Sequence, residues 1–578
     1  MKEWVLAHPD EALRDEIADR LGLSPVTASV LSARGVKTIE EARCFLNPSL
    51  DDLHDPQTLP DMDKAVDTIC RHARDGSRIV IYGDYDVDGL CAVTMLLLFL
   101  RLAGLDPSHY VPERGEEGYG VHGDVLKKLR AEGTGLVITV DCGTCSIAES
   151  KLAKEIGLDM VITDHHEPIE ELPDAEAVVN PKIGGSDYPF KELAGVGVAF
   201  KLVCALADRL SRGQKTAPHF RKFLLDSMAL VAMGTIADVV PLVSENRILA
   251  KFGLEALRCC ELPGVQALMS QCRLTDRVLT ADSVGYKLGP RLNVAGRMAS
   301  AELAMRLLLT DSYGEGERIA HELEELNRER QRIQREIMAT ARRMIDEELS
   351  PDDYIYVLAA ENWPPGVIGI VASHIVEDFY RPAVMISLDG DVGRGSARSI
   401  PGLNIVEALS SCSRHLDTFG GHAQAAGIRL RADRVDRLRT DLNAYASTRL
   451  TPDQLKPRLF VDGEVSLDSV SRDFVNELGR LAPFGQGAEE PVLVARNVRL
   501  AGRPRRVGAS GKHLSFHASQ GESAYRCIAF GMGELAEVTV RRDVPFHIAF
   551  TPVIETFTGR GNLELRVKDI EVPEEDVP

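Results

Sequence analysis

The 578-residue sequence lacks an apolar run long enough to span a membrane, and its N-terminus has no signal-peptide core. These absences predict a cytoplasmic protein without membrane contacts. There is also no second C-x-x-C pair to complement Cys142 and Cys145, which argues against a structural zinc site. The eleven cysteines are an odd number, and several lie in apolar contexts, so we expect reduced core residues and not disulfides.

Cations are in the minority, since the net charge is −20. Taken alone, this balance argues against a nucleic-acid partner. The stretch from Arg499 to Gly521 differs, because it contains five cations and no acid. Composition therefore leaves the partner open. The length predicts about three or four domains, and 44% hydrophobic with 27% charged residues is typical of a globular protein.

The most informative stretch is Asp84-Tyr85-Asp86-Val87-Asp88-Gly89, which follows the apolar run Arg78 to Tyr82. Three alternating carboxylates that face one point require a cation there, which predicts a divalent metal. The same letters open an EF-hand calcium loop, but that loop needs Glu at its twelfth position, where this chain has Met95. A β-branched strand before the acids and an apolar helix after them instead indicate an open α/β sheet.

Strand and helix alternate from residue 78 to residue 180, which predicts a parallel sheet with helices on both faces. Polar side chains follow each predicted strand, and we expect them at one edge of the sheet. The acids of 84–89 follow the first strand. The later strands are followed, in chain order, by Arg114 with its neighbours, Asp141, Asp164-His165-His166 and Asn180. One such residue is usually a helix N-cap, but several at one edge predict a site.

Two further segments contain candidate site residues. Asp238 lies in an apolar helical run and would pay a large desolvation cost unless it bound a metal or capped a neighbouring helix. The glycine-bounded loop at 289–297 contains two arginines, Arg291 and Arg297, which suit phosphate contact; the alternative is an ordinary surface loop.

The C-terminal half predicts three elements. Residues 317–349 read as one long helix that bridges two domains, with an apolar seam interrupted at Arg330. A second α/β domain follows, with small-residue turns that contain Ser396, Arg398 and His422. The last 125 or so residues are strand-rich and predict a small barrel of the oligonucleotide-binding (OB) type, whose basic hairpin, 499–512, is either a nucleic-acid contact or a solvated loop.

Carboxylates with one or two imidazoles suit Mn²⁺ or Mg²⁺. The acids carry more negative charge than one ion needs, so together with His165 we expect them to hold two ions with a bridging carboxylate. Such a pair activates water for phosphoester or phosphoanhydride hydrolysis, and His166 would lie within reach of a substrate oxygen.

In order and spacing, the acids of 84–89, Asp141-Cys142-Gly143, Asp164-His165-His166 and Asp238 resemble the motifs of the DHH phosphoesterase superfamily. The resemblance is closest to its RecJ family of single-strand DNA exonucleases and covers nearly the whole chain. It implies 5′-to-3′ hydrolysis of single-stranded DNA to 5′-mononucleotides in repair and recombination, with Mn²⁺ or Mg²⁺. It also implies helicase and single-strand-binding-protein partners; we expect a monomer.

By motif position, the resemblance implies five metal ligands: Asp86, Asp88, Asp141, His165 and Asp238. Asp84 and His166 would act beside them. Arg114, Ser396 and Arg398 would hold the 5′-terminal phosphate, with Tyr119 near the entering strand. Arg291, Asn293 and Arg297 would contact the DNA backbone, and His422 would contact substrate. The family usually has His and Arg where this chain has Pro364 and His374, which affects contacts of the second domain only.

The expected fold is therefore α/β. A parallel-sheet DHH catalytic domain (51–312) follows a helical N-terminal segment (1–50), and a connecting helix (313–350) leads to a DHH-associated domain (351–450) and an OB-type β-barrel (451–578). Two other functions are possible for such a chain: a phosphodiesterase acting on short oligonucleotides or cyclic dinucleotides, and a non-catalytic single-strand-binding scaffold. The first does not need an appended basic barrel, and the second would be expected to have lost metal ligands.

Overall fold

The computed structural model describes residues 2–114, 117–211, 216–508, 510–536, 544–555 and 561–572. The chain forms two compact units. One consists of residues 1–52 together with 456–578, and the other of residues 53–455. The N-terminal segment begins with a short strand and continues with three helices, each started by a side-chain N-cap. These elements are β1 (Glu3–Leu6), α1 (Glu11–Leu21), α2 (Pro25–Ala33) and α3 (Ile39–Leu46).

The larger unit opens with a five-stranded, fully parallel sheet in the order β3-β2-β4-β5-β6. Its strands are short, apolar and mostly buried, as expected when helices cover both faces. The elements of this sheet, in chain order, are α4 (Met62–Arg74), β2 (Arg78–Tyr82), α5 (Val87–Leu102), β3 (Ser108–Tyr110), α6 (Gly123–Ala131), β4 (Thr134–Val140), α7 (Ile147–Glu155), β5 (Asp159–Thr163) and β6 (Ala177–Val179).

A helical region follows and includes a π-helical turn at Val284–Leu288. Its helices are α8 (Gly195–Leu210), α9 (Pro218–Ala237), α10 (Ser244–Arg258), α11 (Pro263–Gln271), α12 (Ala281–Ser283), α13 (Gly289–Asn293), α14 (Ala295–Met298) and α15 (Glu302–Leu309). The long helix predicted near residue 317 is α16 (Tyr313–Glu348), whose 36 residues span about 54 Å at 1.5 Å per residue.

A mixed five-stranded sheet, in the order β10-β11-β9-β8-β7, completes the larger unit. Its core includes apolar residues of α17, α18 and α19. The elements are β7 (Tyr356–Glu361), α17 (Pro365–Phe379), β8 (Ala383–Asp389), β9 (Val392–Arg398), α18 (Ile405–Ser411), β10 (Thr418–His422), β11 (Ala425–Arg431) and α19 (Val435–Arg449).

The smaller unit contains a seven-stranded sheet in which β14 pairs with both β18 and β16. This double pairing closes strands β14, β18, β19, β17 and β16 into a five-stranded barrel. Its elements are β12 (Arg458–Val461), β13 (Gly463–Glu464), α20 (Arg472–Gly479), β14 (Leu493–Leu500), β15 (Arg505–Val507), β16 (His513–Gln520), β17 (Ser523–Ala529), β18 (Phe546–Ile554) and β19 (Leu563–Glu571).

The N-terminal segment is part of this unit's core. Ile17, Leu31 and Leu46 belong to the same buried apolar cluster as Phe516 and Phe550 of the barrel. In addition, β1 pairs in parallel with β12. The sequence pattern predicts only helices in the N-terminal segment, so β1 is an element that it does not indicate. Among the described residues, no helix has the length and apolar composition needed to cross a bilayer.

Candidate active site

The predicted polar residues meet at the carboxyl ends of the parallel strands. Residues 84–88 follow β2, Asp141 follows β4, and 164–166 follow β5. Because β2, β4 and β5 are hydrogen-bonded neighbours in parallel register, their ends bring these side chains to one edge. Asp238 joins them from the end of α9, where it is the C-cap and not an interior residue.

Two adjoining groups of ligand atoms form at this edge, and within each group the atoms lie within 4.8 Å of one another. One group consists of Asp84, Asp86 and Asp141. The other consists of Asp88, His165 and Asp238. Asp141 and His165 also form a third grouping with His166, so the ligand atoms are continuous across the site. This arrangement has room for more than one cation.

The orientation of His165 shows that the residues at this edge suit a cation. Its ring makes a hydrogen bond with the Leu193 backbone, yet its buried Nε2 has no hydrogen-bond partner among the described residues. Nε2 lies 3.1 Å from Asp141 Oδ1 and 3.6 Å from Asp238 Oδ2. Since the other nitrogen carries the proton that bonds to Leu193, Nε2 presents a lone pair to carboxylate oxygens. With these carboxylates ionised, that contact is favourable only with a cation between the atoms, so the residues present fit a metal.

The electrostatics of the acids lead to the same conclusion. Burial, and then the charge of Asp88, raise the pKa of Asp141 and Asp238 well above the usual range. Burial and Asp86 likewise raise the pKa of Asp84 well above that range and the pKa of Asp88 to about 7. Burial, aided by His166, lowers the pKa of His165 to about 3, which keeps the imidazole neutral as metal ligation requires. So many buried acids ionise together only around positive charge.

His166 is held by a chain of hydrogen bonds. Its Nδ1 lies 2.8 Å from Asp164 Oδ1 and 2.9 Å from the Tyr119 hydroxyl, which also donates to the Asp141 carbonyl. Burial opposes protonation of His166, but the Asp164 carboxylate outweighs it and raises the pKa of the ring. The His422 ring is stacked against His166 with centroids 6.1 Å apart. Asp164 is therefore an orienting residue, not a ligand in these groups, and the structure brings Tyr119 and His422 to the site.

An arginine cluster lies in the same unit. Burial, followed by Arg114, Arg330 and Arg398, lowers the pKa of Arg297 to about 9. These four arginines come from the loop after β3, from α14, from α16 and from β9. Among the described residues none of them forms an ion pair with a carboxylate. Asp86 lies near enough to favour the charged form of Arg297, but clustered guanidinium groups that make no ion pair are typical of a phosphate site.

Two predicted substrate residues are part of this cluster. Arg398 donates to Ser396 Oγ at 3.1 Å, and a side chain on Gly369 would lie 2.9 Å from that same oxygen. Gly369 therefore leaves space beside the pair. Arg114 lies over the Tyr85 ring, 5.0 Å from its centroid. In the sequence pattern Arg330 is only a break in the apolar seam of the long helix, although a cation at an inward position of a helix is a usable signal.

The other predicted DNA contacts are engaged within the protein. Arg291 forms an ion pair with Glu324 at 2.6 Å, and Asn293 Oδ1 accepts from the Val87 N–H at 3.1 Å, at the start of α5. Pro364 is the N-cap residue of α17, and His374 contacts Glu377 on that helix.

Family models match three parts of the chain: the DHH family N-terminal domain (78–235), the DHHA1 domain (352–448) and the RecJ OB domain (461–569). Over 573 residues, the sequence is 38% identical to a single-stranded-DNA-specific exonuclease RecJ of Bacillus subtilis, covering 99% of this chain and 71% of that protein. The chain belongs to the RecJ family. It is also 35% identical to RecJ of Salmonella typhimurium, over 95% of this chain and 96% of that one.

Solved RecJ structures share the fold. The crystal structure of RecJ in complex with Mn²⁺ from Thermus thermophilus superimposes with a TM-score of 0.83 at 30% identity, covering 99% of this chain and 80% of that one. The predicted fold class, with DHH, DHH-associated and OB-type parts, is thereby confirmed. Because this match covers 99% of the chain, it includes both units.

Proposed function

We propose that this RecJ-family chain is a metal-dependent exonuclease specific for single-stranded DNA. The observation that carries the proposal is the His165 Nε2 lone pair, which faces the oxygens of Asp141 and Asp238 and needs a cation. The curated relatives are named single-stranded-DNA-specific exonucleases, and RecJ structures have been solved with Mn²⁺ and with Mg²⁺. The arginine cluster adds the phosphate-binding surface that such a substrate requires.

Five residues, Asp86, Asp88, Asp141, His165 and Asp238, would hold two ions of Mn²⁺ or Mg²⁺, with Asp84 beside them. Bound there, the ions would supply a water of lowered pKa and neutralise the charge on the leaving oxygen. Two ions would match the two groups of ligand atoms.

The chain's own residues place the substrate. Asp164 and the Tyr119 hydroxyl fix the His166 ring, which then donates a hydrogen bond to a phosphate oxygen. Arg114, Ser396 and Arg398 hold the 5′-terminal phosphate, which gives 5′-to-3′ polarity and releases 5′-mononucleotides. Arg297 and Arg330 bind the phosphates that follow. Arg291 and Asn293 would bind the DNA backbone after giving up their contacts with Glu324 and Val87. His422 stacks on the His166 ring and would also contact the substrate.

Single-stranded DNA labelled at the 5′ or the 3′ end tests the activity. With Mn²⁺ and Mg²⁺ in parallel, we expect early release of the 5′ label as mononucleotide. Asp86→Ala and Asp141→Ala should each reduce the rate at least roughly a hundredfold, because a ligand is lost from the site. Early mononucleotide release of the 3′ label would contradict the polarity, and undiminished digestion by both variants would contradict the site.

Two other functions fit less well. A small-substrate DHH phosphodiesterase does not need the barrel with its basic hairpin, and a non-catalytic scaffold does not need the full ligand set. We place the enzyme in the cytoplasm as a monomer that acts in DNA repair and recombination with a helicase and a single-strand-binding protein.

A further inference from the structure

Three consecutive polar residues in the first turn of α10 are buried: Glu245, Asn246 and Arg247 are 0%, 0% and 2% exposed. The Glu245 carboxylate accepts from the His54 N–H at 2.9 Å, from Lys201 Nζ at 2.5 Å and from the Tyr188 hydroxyl at 2.5 Å. With its acceptors paired in this way, Glu245 fixes the first turn of the helix. The position of its neighbour Asn246 is therefore also fixed.

The side chain of Asn246 joins two backbone segments. Its Nδ2 donates to the Pro241 carbonyl at 3.0 Å and also to the Glu192 carbonyl. Its Oδ1 is buried and has no hydrogen-bond partner among the described residues. Both amide hydrogens are thus used, and the side chain acts purely as a double donor between the two segments.

The first segment, 192–196, orients ligands of the metal site. The Gly195 and Val196 N–H groups donate to Asp88 at 2.6 and 3.0 Å, and the Leu193 backbone bonds the His165 ring. A side chain on Gly195 would lie 2.5 Å from Asp141 Oδ1, so this backbone also packs directly on that ligand.

The second segment, 238–244, carries Asp238 itself. Val239 has φ +63° and Ser244 has φ +46°, both in the left-handed region. A β-branched residue is a clear outlier there and persists only where its surroundings hold it. The Pro241 carbonyl that Asn246 binds lies between these two positions.

We propose that Asn246 is a positioning residue of the metal centre: its amide ties the segment that orients Asp88 and His165 to the segment that carries Asp238. The inference rests on the proposed function, because it assumes that these ligands bind divalent ions. Asn246 touches neither substrate nor metal and acts through the two backbone segments. Loss of the amide donors should loosen the geometry between ligands and weaken metal binding, with little effect on substrate recognition.

The test measures Mn²⁺ binding to metal-free protein from the electron paramagnetic resonance signal of free Mn²⁺. Asn246→Asp keeps the shape but removes both donors, and Asn246→Ala removes the group without adding charge. We expect about tenfold weaker Mn²⁺ binding in both, as is typical when a group that supports metal ligands is lost. Saturating Mn²⁺ should restore most of kcat, and KM for single-stranded DNA should stay within about twofold of the parent value.

Asn443→Asp is the matched control, because the Asn443 amide also bridges backbone groups, at Ile355 and Tyr354, in the second α/β region. It should lower the melting temperature without changing Mn²⁺ affinity. Parent-like Mn²⁺ affinity in both Asn246 variants would overturn the inference and leave the proposed function intact. Failure of the parent itself to bind Mn²⁺ would overturn both.

Discussion

Asp141 shows that a metal ligand can lower the stability of the metal-free protein. Its carboxylate is 2% exposed, and Oδ1 has no hydrogen-bond partner among the described residues. Burial and Asp88 raise its pKa, so the ionised form is disfavoured in the fold. The backbone at Asp141 has φ +60°, a conformation that Asn adopts as readily as Asp. An amide at this position would therefore keep the local shape and remove the charge.

We predict that Asp141→Asn stabilises the metal-free protein while it abolishes stabilisation by Mn²⁺. Relief of charge burial worth about 1 kcal/mol should raise the apparent melting temperature by roughly 1 °C, because the unit is large. Calorimetry with a chelator and with Mn²⁺ measures both effects. Asp174→Asn, at an exposed residue paired with Lys154, serves as the control. A melting temperature below that of the parent in chelator would contradict this interpretation.

At the scale of elements, α16 contributes to the site as well as connecting two α/β regions. Arg330 faces inward, where Asn327 Oδ1 and Gln334 Oε1 accept its hydrogen bonds at 2.9 and 3.1 Å. Burial and the nearby Arg291 lower its pKa. Among the described residues, Arg330 bonds only to neutral groups. A half-buried cation in that state is costly unless an anion joins it, and the substrate phosphate is the anion that the arginine cluster fits.

Arg330→Gln should therefore reduce kcat/KM for single-stranded DNA about tenfold, since a charge-assisted hydrogen bond contributes about 1.5–3 kcal/mol. The salt dependence of binding should weaken by roughly one phosphate contact. Arg332→Gln is the control on the same helix, because Arg332 is exposed and paired with Glu329 and Glu336. Equal activities for the two variants would exclude Arg330 from the substrate site.

The basic hairpin is the second element that suits nucleic acid. It is formed by β15 and β16, with Arg505 opposite Ser515, at the edge of the barrel sheet. Next to it, Phe530 is 60% exposed and meets the His513 ring edge to face at 5.2 Å. The His513 ring is itself held by the Gly531 N–H, which donates to Nδ1 at 3.1 Å. Exposed aromatic rings beside cations are typical of single-strand binding surfaces.

Phe530→Ala should weaken binding of single-stranded DNA about tenfold, because stacking contributes about 1–3 kcal/mol per base. Fluorescence anisotropy with full-length protein in chelator measures binding without digestion. Phe460→Ala provides a control in the same unit, since Phe460 is also exposed but lies on β12, which belongs to a different sheet from the hairpin strands. Parent-like affinity in the Phe530 variant would show that bases do not stack on this ring.

These elements also show how far the sequence was informative. The carboxyl ends of parallel strands lie at the same edge of a sheet, so the proximity of Asp86, Asp141 and His165 was predictable from the order of strands along the chain. Asp238 was predicted inside a helix, but it lies at the helix end, where Val239 turns into the left-handed region. Arg330 and Asn246 were missed because their contacts join elements far apart in the chain, and no local pattern reports such contacts.

At the scale of the molecule, the two ends of the chain build one unit. Leu31 of α2 is fully buried in the same cluster as Leu493 and Phe550 of the barrel. The Glu477 carboxylate also accepts from Ser24 and Thr27 at the start of α2. The N-terminal segment therefore supplies part of the barrel unit's core, and removing residues 456–578 would expose apolar faces of α1 to α3. A domain deletion is consequently a poor test of the barrel, whereas point variants are a good one.

We predict that Leu31→Ala destabilises the barrel unit selectively. A leucine truncated in a packed core costs about 2–5 kcal/mol, so amide hydrogen exchange should speed up in β14 and β18, at the opposite end of the chain. Leu438→Ala is the matched control, because Leu438 is equally buried in the core of the other unit. It should accelerate exchange in β7 and β8 and leave β14 and β18 unchanged. If Leu31→Ala left exchange in the barrel strands at the parent rate, α2 would contribute nothing to barrel stability, and the unit would not depend on the N-terminal segment.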